Sequence, residues 1–214
     1  MSPLIKTFVL GSLQNNSYWV GDPQTRQAVI IDPAAGSPKI LEQMASLGCR
    51  VSAIWLTHAH FDHIAGVSDL LEAIQPEPAV WLHPDDLDLW RNSGGAGLFG
   101  YRFYSGPEPD NALYHGQVLK VGQYAFEVRH TPGHTPGHVT FYNPEAAVAF
   151  CGDLIFHRSV GRTDLPGGNM AALLNSIRQS IFSLPPETRL LSGHGPETTV
   201  AEERAENPFL NENQ

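Results

Sequence analysis

The stretch Thr57-His58-Ala59-His60-Phe61-Asp62-His63 packs three imidazoles and a carboxylate into six residues. Imidazole nitrogen and carboxylate oxygen are the donors that borderline divalent ions such as Zn²⁺ take. A lone His is commonly a hydrogen-bonded structural residue. Four such groups side by side make poor core material, because each needs a partner once buried. The cluster therefore reads as a metal-binding loop.

Its neighbours in sequence explain the spacing. Residues 53–57 (AIWLT) are an apolar strand, and a helix is expected to begin near Asp62 or His63. On the extended link between them His58 and His60 are two residues apart, so both point the same way and can grip one ion. Asp62 and His63 stand where the chain turns and can address a second. Ala59 and Gly66 leave room for the crowding. Four donors on one loop cannot complete two coordination spheres, so others must come from afar. Three segments offer them: Thr131-Pro132-Gly133-His134-Thr135-Pro136-Gly137-His138, Phe150-Cys151-Gly152-Asp153 and Ser192-Gly193-His194-Gly195-Pro196. Each is weak alone, and it is their recurrence at strand ends that supports metal binding.

The rest of the chain bounds the answer. With 214 residues, 42% hydrophobic and 16% charged, it is expected to fold as one globular domain over 1–214. Cys49 and Cys151 form no framework spacing, which predicts free thiols and a reducing compartment. The short apolar run Phe8-Val9-Leu10 is no signal sequence, and no stretch approaches a membrane span. A cytoplasmic protein, monomeric or a small homo-oligomer, is the expectation. A formal charge of −9, with 13 Lys and Arg that never cluster, argues against a nucleic-acid partner.

Strands are expected over 6–10, 17–20, 28–32, 53–57, 79–83, 118–121, 125–130, 138–142, 147–154 and 189–192, each short and bounded by turn residues. Helices are expected over 37–47, 63–74, 169–182 and 198–207. Ser37-Pro38 reads as an N-cap followed by Pro at the first helical position. Residues 93–111 (SGGAGLFGYRFYSGPEPDN) break every periodicity and form either a linker or a lid. Phe99, Tyr101, Phe103 and Tyr104 are costly to leave in water, which favours a lid over a pocket.

Taken together, these residues resemble the metallo-β-lactamase-fold hydrolases, in particular the small glyoxalase II-like (hydroxyacylglutathione hydrolase-like) group. The pattern T-H-x-H-x-D-H lies at 57–63. The later motifs match at Pro132-Gly133-His134-Thr135-Pro136-Gly137, Gly152-Asp153, Gly161-Arg162-Thr163-Asp164 and Gly193-His194-Gly195-Pro196, and the tail Glu203-Arg204…Asn207-Pro208-Phe209-Leu210 is similar as well. The resemblance implies an α+β, four-layer αββα sandwich of two mixed sheets with helices on the outer faces. It also implies two divalent ions, with Zn expected ahead of Fe or Mn. His58, His60 and His134 would hold one ion and Asp62, His63 and His194 the other, with Asp153 bridging.

The implied activity is hydrolysis of a small acyl-thiol such as S-lactoylglutathione. A metal-bound hydroxide would attack the thioester carbonyl, and Asp62 and Asp153 would serve in catalysis. Thr57 and Asp164 are expected behind the ligands, while Tyr101, Arg102 and Arg162 are candidates for substrate contact. Arg162 and Asp164 can equally pair to brace their loop. His83, His115, His130, His138 and His157 are read as ordinary polar residues, with only His157 near enough in sequence to reach the pocket.

Two relatives of the fold compete. Persulfide dioxygenases are similar but use one iron at the positions of His58, His134 and Asp153. A β-lactamase is the weaker expectation, because that branch carries a Cys where this chain has Asp153. Only 20 residues follow His194, too few for the basic C-terminal helices with which longer glyoxalase II enzymes hold glutathione.

Overall fold

The computed structural model describes residues 2–210. Strands β1 (Leu4–Leu10), β2 (Asn15–Asp22), β3 (Gln27–Ile31), β4 (Arg50–Trp55), β5 (Ala79–Leu82) and β6 (Asn111–Ala112) form one sheet in that order. The pairing is antiparallel from β1 to β3 and parallel from β3 to β6. In the second sheet, β7 (Val118–Val121), β8 (Tyr124–His130), β9 (Val139–Asn143) and β10 (Val148–Gly152) pair antiparallel. There β13 (Arg189–Ser192) joins β10 in parallel and β14 (Thr198–Thr199) closes the edge. A small hairpin, β11 (Ile155–Phe156) and β12 (Ser159–Val160), stands apart. This is the metallo-β-lactamase fold, with both sheets mixed as expected.

Strand periodicity shows why two sheets stack. Along β2, Tyr18 and Val20 face the second sheet while Trp19 faces outward, and all three are buried. The same alternation places Val29, Ile31 and Trp55 inward but Ile30 and Ile54 outward, and it separates Phe150 from Cys151 on β10. Sheets apolar on both faces need cover on both. Helices α1 (Pro38–Met44), α2 (Phe61–Ile64), α3 (Val67–Ala73) and α4 (Leu87–Arg91) cover the first through Ile40, Ile64, Leu70 and Trp90. Helices α5 (Met170–Ser176) and α6 (Val200–Glu206) cover the second through Leu173 and Val200. Cys151 packs in that outer layer, where burial pushes its thiol up, and Cys49 is half-buried; both are free.

Several expected elements end elsewhere. The helix expected over 63–74 is broken into α2 and α3 at Ala65-Gly66. A Cβ at Gly66 would overlap the Ala34 carbonyl, so the chain can turn here only as glycine. Ser37 does not cap α1; it has helical backbone angles and its Oγ donates to the Ala34 carbonyl at 2.7 Å. Residue 198 starts a strand, and the cap moves to Thr199, which forms a reciprocal capping box with Glu202. The helix over 169–182 holds α-geometry only to Ser176, then widens into a π-helical turn over Ile177–Ile181. Asn169 caps it by accepting from the Ala172 amide at 3.0 Å. Short helical turns over Pro84–Arg91 and strands β6, β11 and β12 had no expected counterpart. No helix among the described residues is long and apolar enough to cross a membrane.

The topology brings one set of strand ends together. Parallel β3, β4 and β5 all terminate at the same edge of their sheet, as do β10 and β13 in theirs. The edges are clasped where the Asn16 amide donates to the Gly193 carbonyl (2.7 Å) and the Tyr18 hydroxyl to that of Ser192 (2.6 Å).

Between the sheets, Trp55 lies 5.4 Å from the Phe126 ring and 5.3 Å from Phe141. Trp55→Ala is expected to lower the unfolding free energy by about 3–5 kcal/mol in urea denaturation, because a cavity opens directly beneath the metal-binding loop.

Candidate metal centre

Every expected donor lies at one of these converging strand ends. The loop after β4 carries His58, His60, Asp62 and His63, with His60 extended (φ −66°, ψ 147°) and α2 starting at Phe61. The β8–β9 connection carries His134, and Asp153 and His194 follow β10 and β13. His58, His60, His63, His134 and Asp153 are buried, and Asp62 and His194 are half-buried.

The donors sort into two groups. Potential ligand atoms of His58, His60 and His134 lie within 4.8 Å of one another, as do those of Asp62, His63 and His194. His60 Nδ1 is 2.7 Å from His134 Nε2, and His194 Nε2 is 3.1 Å from Asp62 Oδ2. Asp153 stands between the groups. Its Oδ1 is 3.2 Å from His63 Nε2, and its Oδ2 is 3.5 Å from His134 Nε2 and 3.7 Å from His194 Nε2.

Outer hydrogen bonds settle which ring nitrogens face inward. The Thr57 hydroxyl donates to Asp32 Oδ2 (2.6 Å) and therefore accepts from His58 Nδ1 (3.0 Å), leaving His58 Nε2 with its lone pair inward. His63 Nδ1 donates to Asp32 Oδ2 at 3.0 Å, and His134 Nδ1 to the Arg162 carbonyl at 2.8 Å. Such contacts orient metal-binding imidazoles and fix their tautomers. His58 Nε2, His63 Nε2 and Asp153 Oδ1 are buried without an aligned hydrogen-bond partner. Buried polar atoms are normally satisfied, so these orphans fit donors waiting for cations.

Electrostatics divide the groups further. Burial, reinforced by the neighbouring imidazoles, drives His58 well below its ordinary pKa. Burial and His134 bring His60 down to about 3, and burial also lowers His134. These rings stay neutral. Burial works against a charged His63 too, but Asp153 and Asp62 outweigh it and raise His63 well above its usual value. His194 is also raised, since the Asp62 hydrogen bond and the charge of Asp153 overcome its burial. Burial alone would raise Asp153, yet His63 beside it holds the carboxyl well below the usual range.

A cavity of about 590 Å³ opens onto both groups. Leu13, Phe61, Phe99, Tyr101, Phe156, Val160 and Leu165 line it together with five of the donors and Arg162. The 93–111 segment thus supplies a wall through Phe99 and Tyr101, which lie 5.5 and 5.4 Å from the Phe61 ring. Its other two aromatics do not share that role. Phe103 packs against the core outside the first sheet, and Tyr104 is exposed.

The remaining expected residues divide. Arg162 lines the cavity, but its guanidinium grips Asp164 through two bonds of 2.7 and 2.6 Å. Its carbonyl, rather than its charge, touches a donor. Arg102 lies in a smaller adjoining recess with Ser12 and Phe103. His115 and His157 are exposed, and His157 does not line the cavity. His83 and His130 form a further group with Asp85, but their rings are parallel at 4.2 Å, so their lone pairs run side by side rather than converging.

Sequence reasoning passed over three buried residues. Asp32 accepts from the Thr57 amide at 2.7 Å as well as from the hydroxyl, and its signal was legible: an apolar strand ending in Asp, as at Asp153. His138 stacks on His58 with ring centroids 5.3 Å apart. Asp86 touches two of the donor loops, and nothing in its local sequence marks it.

Comparison with known proteins agrees with this geometry. A model of the metallo-beta-lactamase superfamily matches residues 10–194. The chain belongs to that superfamily. Within it, the chain is 33% identical over 210 residues to a hydroxyacylglutathione hydrolase, GloC, of Haemophilus influenzae, covering 97% of this chain and 98% of that one. It is 44% identical to TTHA1623, solved in a di-iron-bound form, with a TM-score of 0.86 over 96% of this chain and all of that one. It is 37% identical to BLEG-1, a B3 metallo-beta-lactamase, with a TM-score of 0.90 over 97% and 99% of the two chains. Superfamily members are generally metal-dependent hydrolases, and the His/Asp groups here are those a divalent metal requires.

His63 and His194 must shed protons to bind a cation, whereas His58, His60 and His134 are already neutral. Lowering the pH therefore weakens the Asp62–His63–His194 group first. Elemental analysis after dialysis at stepwise lower pH is expected to show the metal content falling as His63 and His194 regain their protons.

Proposed function

We propose that this protein is a two-metal hydrolase of hydroxyacyl thioesters such as S-lactoylglutathione. The observation that carries the reading is the position of Asp153, whose Oδ2 lies 3.5 Å from His134 Nε2 of one donor group and 3.7 Å from His194 Nε2 of the other, with Oδ1 3.2 Å from His63 Nε2. His58, His60 and His134 would hold one ion, Asp62, His63 and His194 the other, and Asp153 both. Zn is the proposed metal, with Fe or Mn able to serve the same donors. Two such ions supply an ionised water at neutral pH and a Lewis acid for a carbonyl.

The protein's own residues supply the rest. Thr57 and Asp32 hold the His58 and His63 rings, and the Arg162 carbonyl holds His134. Leu13, Phe61, Phe99, Phe156, Val160 and Leu165 form an apolar wall that fits an acyl-thiol. Beyond the candidate ligands the cavity lining contains no carboxyl or imidazole. A thioester suits this, because a thiolate with a pKa near 8.5 leaves without a general acid. An amide nitrogen, as in a β-lactam, needs a proton delivered. The complete Asp62–His63–His194 group also favours two metals over the one-iron dioxygenase reading.

The test pairs elemental analysis of the purified protein with turnover of S-lactoylglutathione, a β-lactam and glutathione persulfide. The expected result is about two metal ions per chain and hydrolysis of the thioester. About one iron with oxygen consumption on the persulfide, or turnover of the β-lactam alone, would falsify the proposal. Asp153→Ala is expected to lower kcat/KM for the thioester by roughly a thousandfold, since several kcal/mol of charge stabilisation depend on the pair of ions.

A further inference from the structure

Asp86 lies in the helical turn after β5, outside every donor group, and is fully buried. Its side chain reaches both loops that bring His58, His60 and His134 together. Oδ2 accepts from the Ala59 amide at 3.0 Å and from the Thr135 hydroxyl at 2.8 Å; Oδ1 accepts from the Gly137 amide at 2.7 Å. Ala59 sits between His58 and His60, and Thr135 directly follows His134. The contact is tight, because a Cβ on Gly137 would come within 2.7 Å of the Asp86 amide and of Oδ1. The two loops are separated by more than seventy positions in sequence, and each turns one buried amide toward the same carboxylate.

We propose that Asp86 is the positioning residue that sets the spacing of the His58–His60–His134 group by clamping its two loops to one carboxylate. This goes beyond the ligand set itself and rests on the reading that those imidazoles hold a cation. Two of the three partners are backbone amides, which can only donate, so both carboxylate oxygens must accept. An asparagine cannot replace it. Its amide nitrogen would face the Gly137 N–H in one orientation and the Ala59 N–H in the other, and either way a loop loses its anchor.

The fold contains a matched control. Asp22, also fully buried, accepts from the Gln24 amide (2.9 Å), the Thr25 hydroxyl (2.9 Å) and the Gln123 amide (3.1 Å). It ends β2, whose opposite end at Asn15 bridges to His194. Along an eight-residue strand that places it roughly 23 Å away from the donors.

Metal-free wild type, Asp86→Asn and Asp22→Asn would be titrated with Zn²⁺ against a chromophoric chelator. Their melting temperatures and the absorption spectra of their Co²⁺ forms would be recorded alongside. Asp86→Asn is expected to weaken Zn²⁺ binding by about 10–100-fold and to alter the Co²⁺ spectrum, as loss of an outer contact does to a metal site. Asp22→Asn is expected to melt lower yet bind Zn²⁺ like wild type. Equal affinities for Asp86→Asn and wild type, or an equal loss in Asp22→Asn, overturn the proposal. Should Asp86→Asn not fold, Thr135→Val removes one of the three donors; a smaller affinity loss supports the clamp, and an unchanged affinity overturns it. A wild type that binds no Zn²⁺ is a different failure, since it removes the metal reading itself and the clamp with it.

Discussion

Burial of imidazoles is the constraint on which this molecule turns. A buried ring with two nitrogens must satisfy both, and here the outer nitrogens of His58, His63 and His134 are taken by Thr57, Asp32 and the Arg162 carbonyl. What remains inward includes His58 Nε2, His63 Nε2 and Asp153 Oδ1, none of which has an aligned hydrogen-bond partner. Such a cluster is tolerable in a fold only if something else completes it, and the donor chemistry points to divalent cations. The surrounding scaffold, with two sheets ending at one edge, serves to bring those rings within reach of each other.

The division between neutral and charged donors follows from the same burial. For His58, His60 and His134 desolvation is the largest effect and outweighs the nearby carboxylates, so they stay uncharged. His63 and His194 lie against Asp62 and Asp153, so the carboxylates win. One group resembles a preformed soft pocket, the other an ion pair waiting for exchange. The apolar wall of Phe61, Phe99 and Tyr101 is tied to the same loop, because Phe61 lies between the donors His60 and Asp62. Substrate surface and metal surface therefore share a backbone.

Much of the architecture was legible because the strands are short, apolar and sharply bounded. Nine of the ten expected strands agree with observed ones to within two residues at each end, and only the one expected over 53–57 starts three residues earlier, at Arg50. The misplaced boundaries have identifiable causes. The helix divides at Gly66, whose amide bonds the Pro33 carbonyl at 2.8 Å where Ala34 leaves no room for a side chain, and Ser37 gives up its cap to bond the Ala34 carbonyl. Neither neighbour is visible in a local window. The short edge strand β6 and the hairpin of β11 and β12 are only two residues per strand, below any periodic signal.

The donors themselves were written in the chain. His58, His60, Asp62 and His63 declare themselves by spacing, and His134, Asp153 and His194 by turn-rich settings at strand ends. Ligand chemistry is local in this sense, because a strand end followed by glycine is how a backbone presents a side chain at an edge. The supports were not local. Asp86 is one of two adjacent aspartates in an unremarkable turn, and only the folded chain shows it reaching Ala59, Thr135 and Gly137. Which nitrogen of each ring faces inward, which imidazoles stay neutral, and which of the four aromatics in the 93–111 segment meet the cavity were likewise decided by tertiary packing. Those properties depend on distances between segments far apart in sequence, and residue order alone does not contain them.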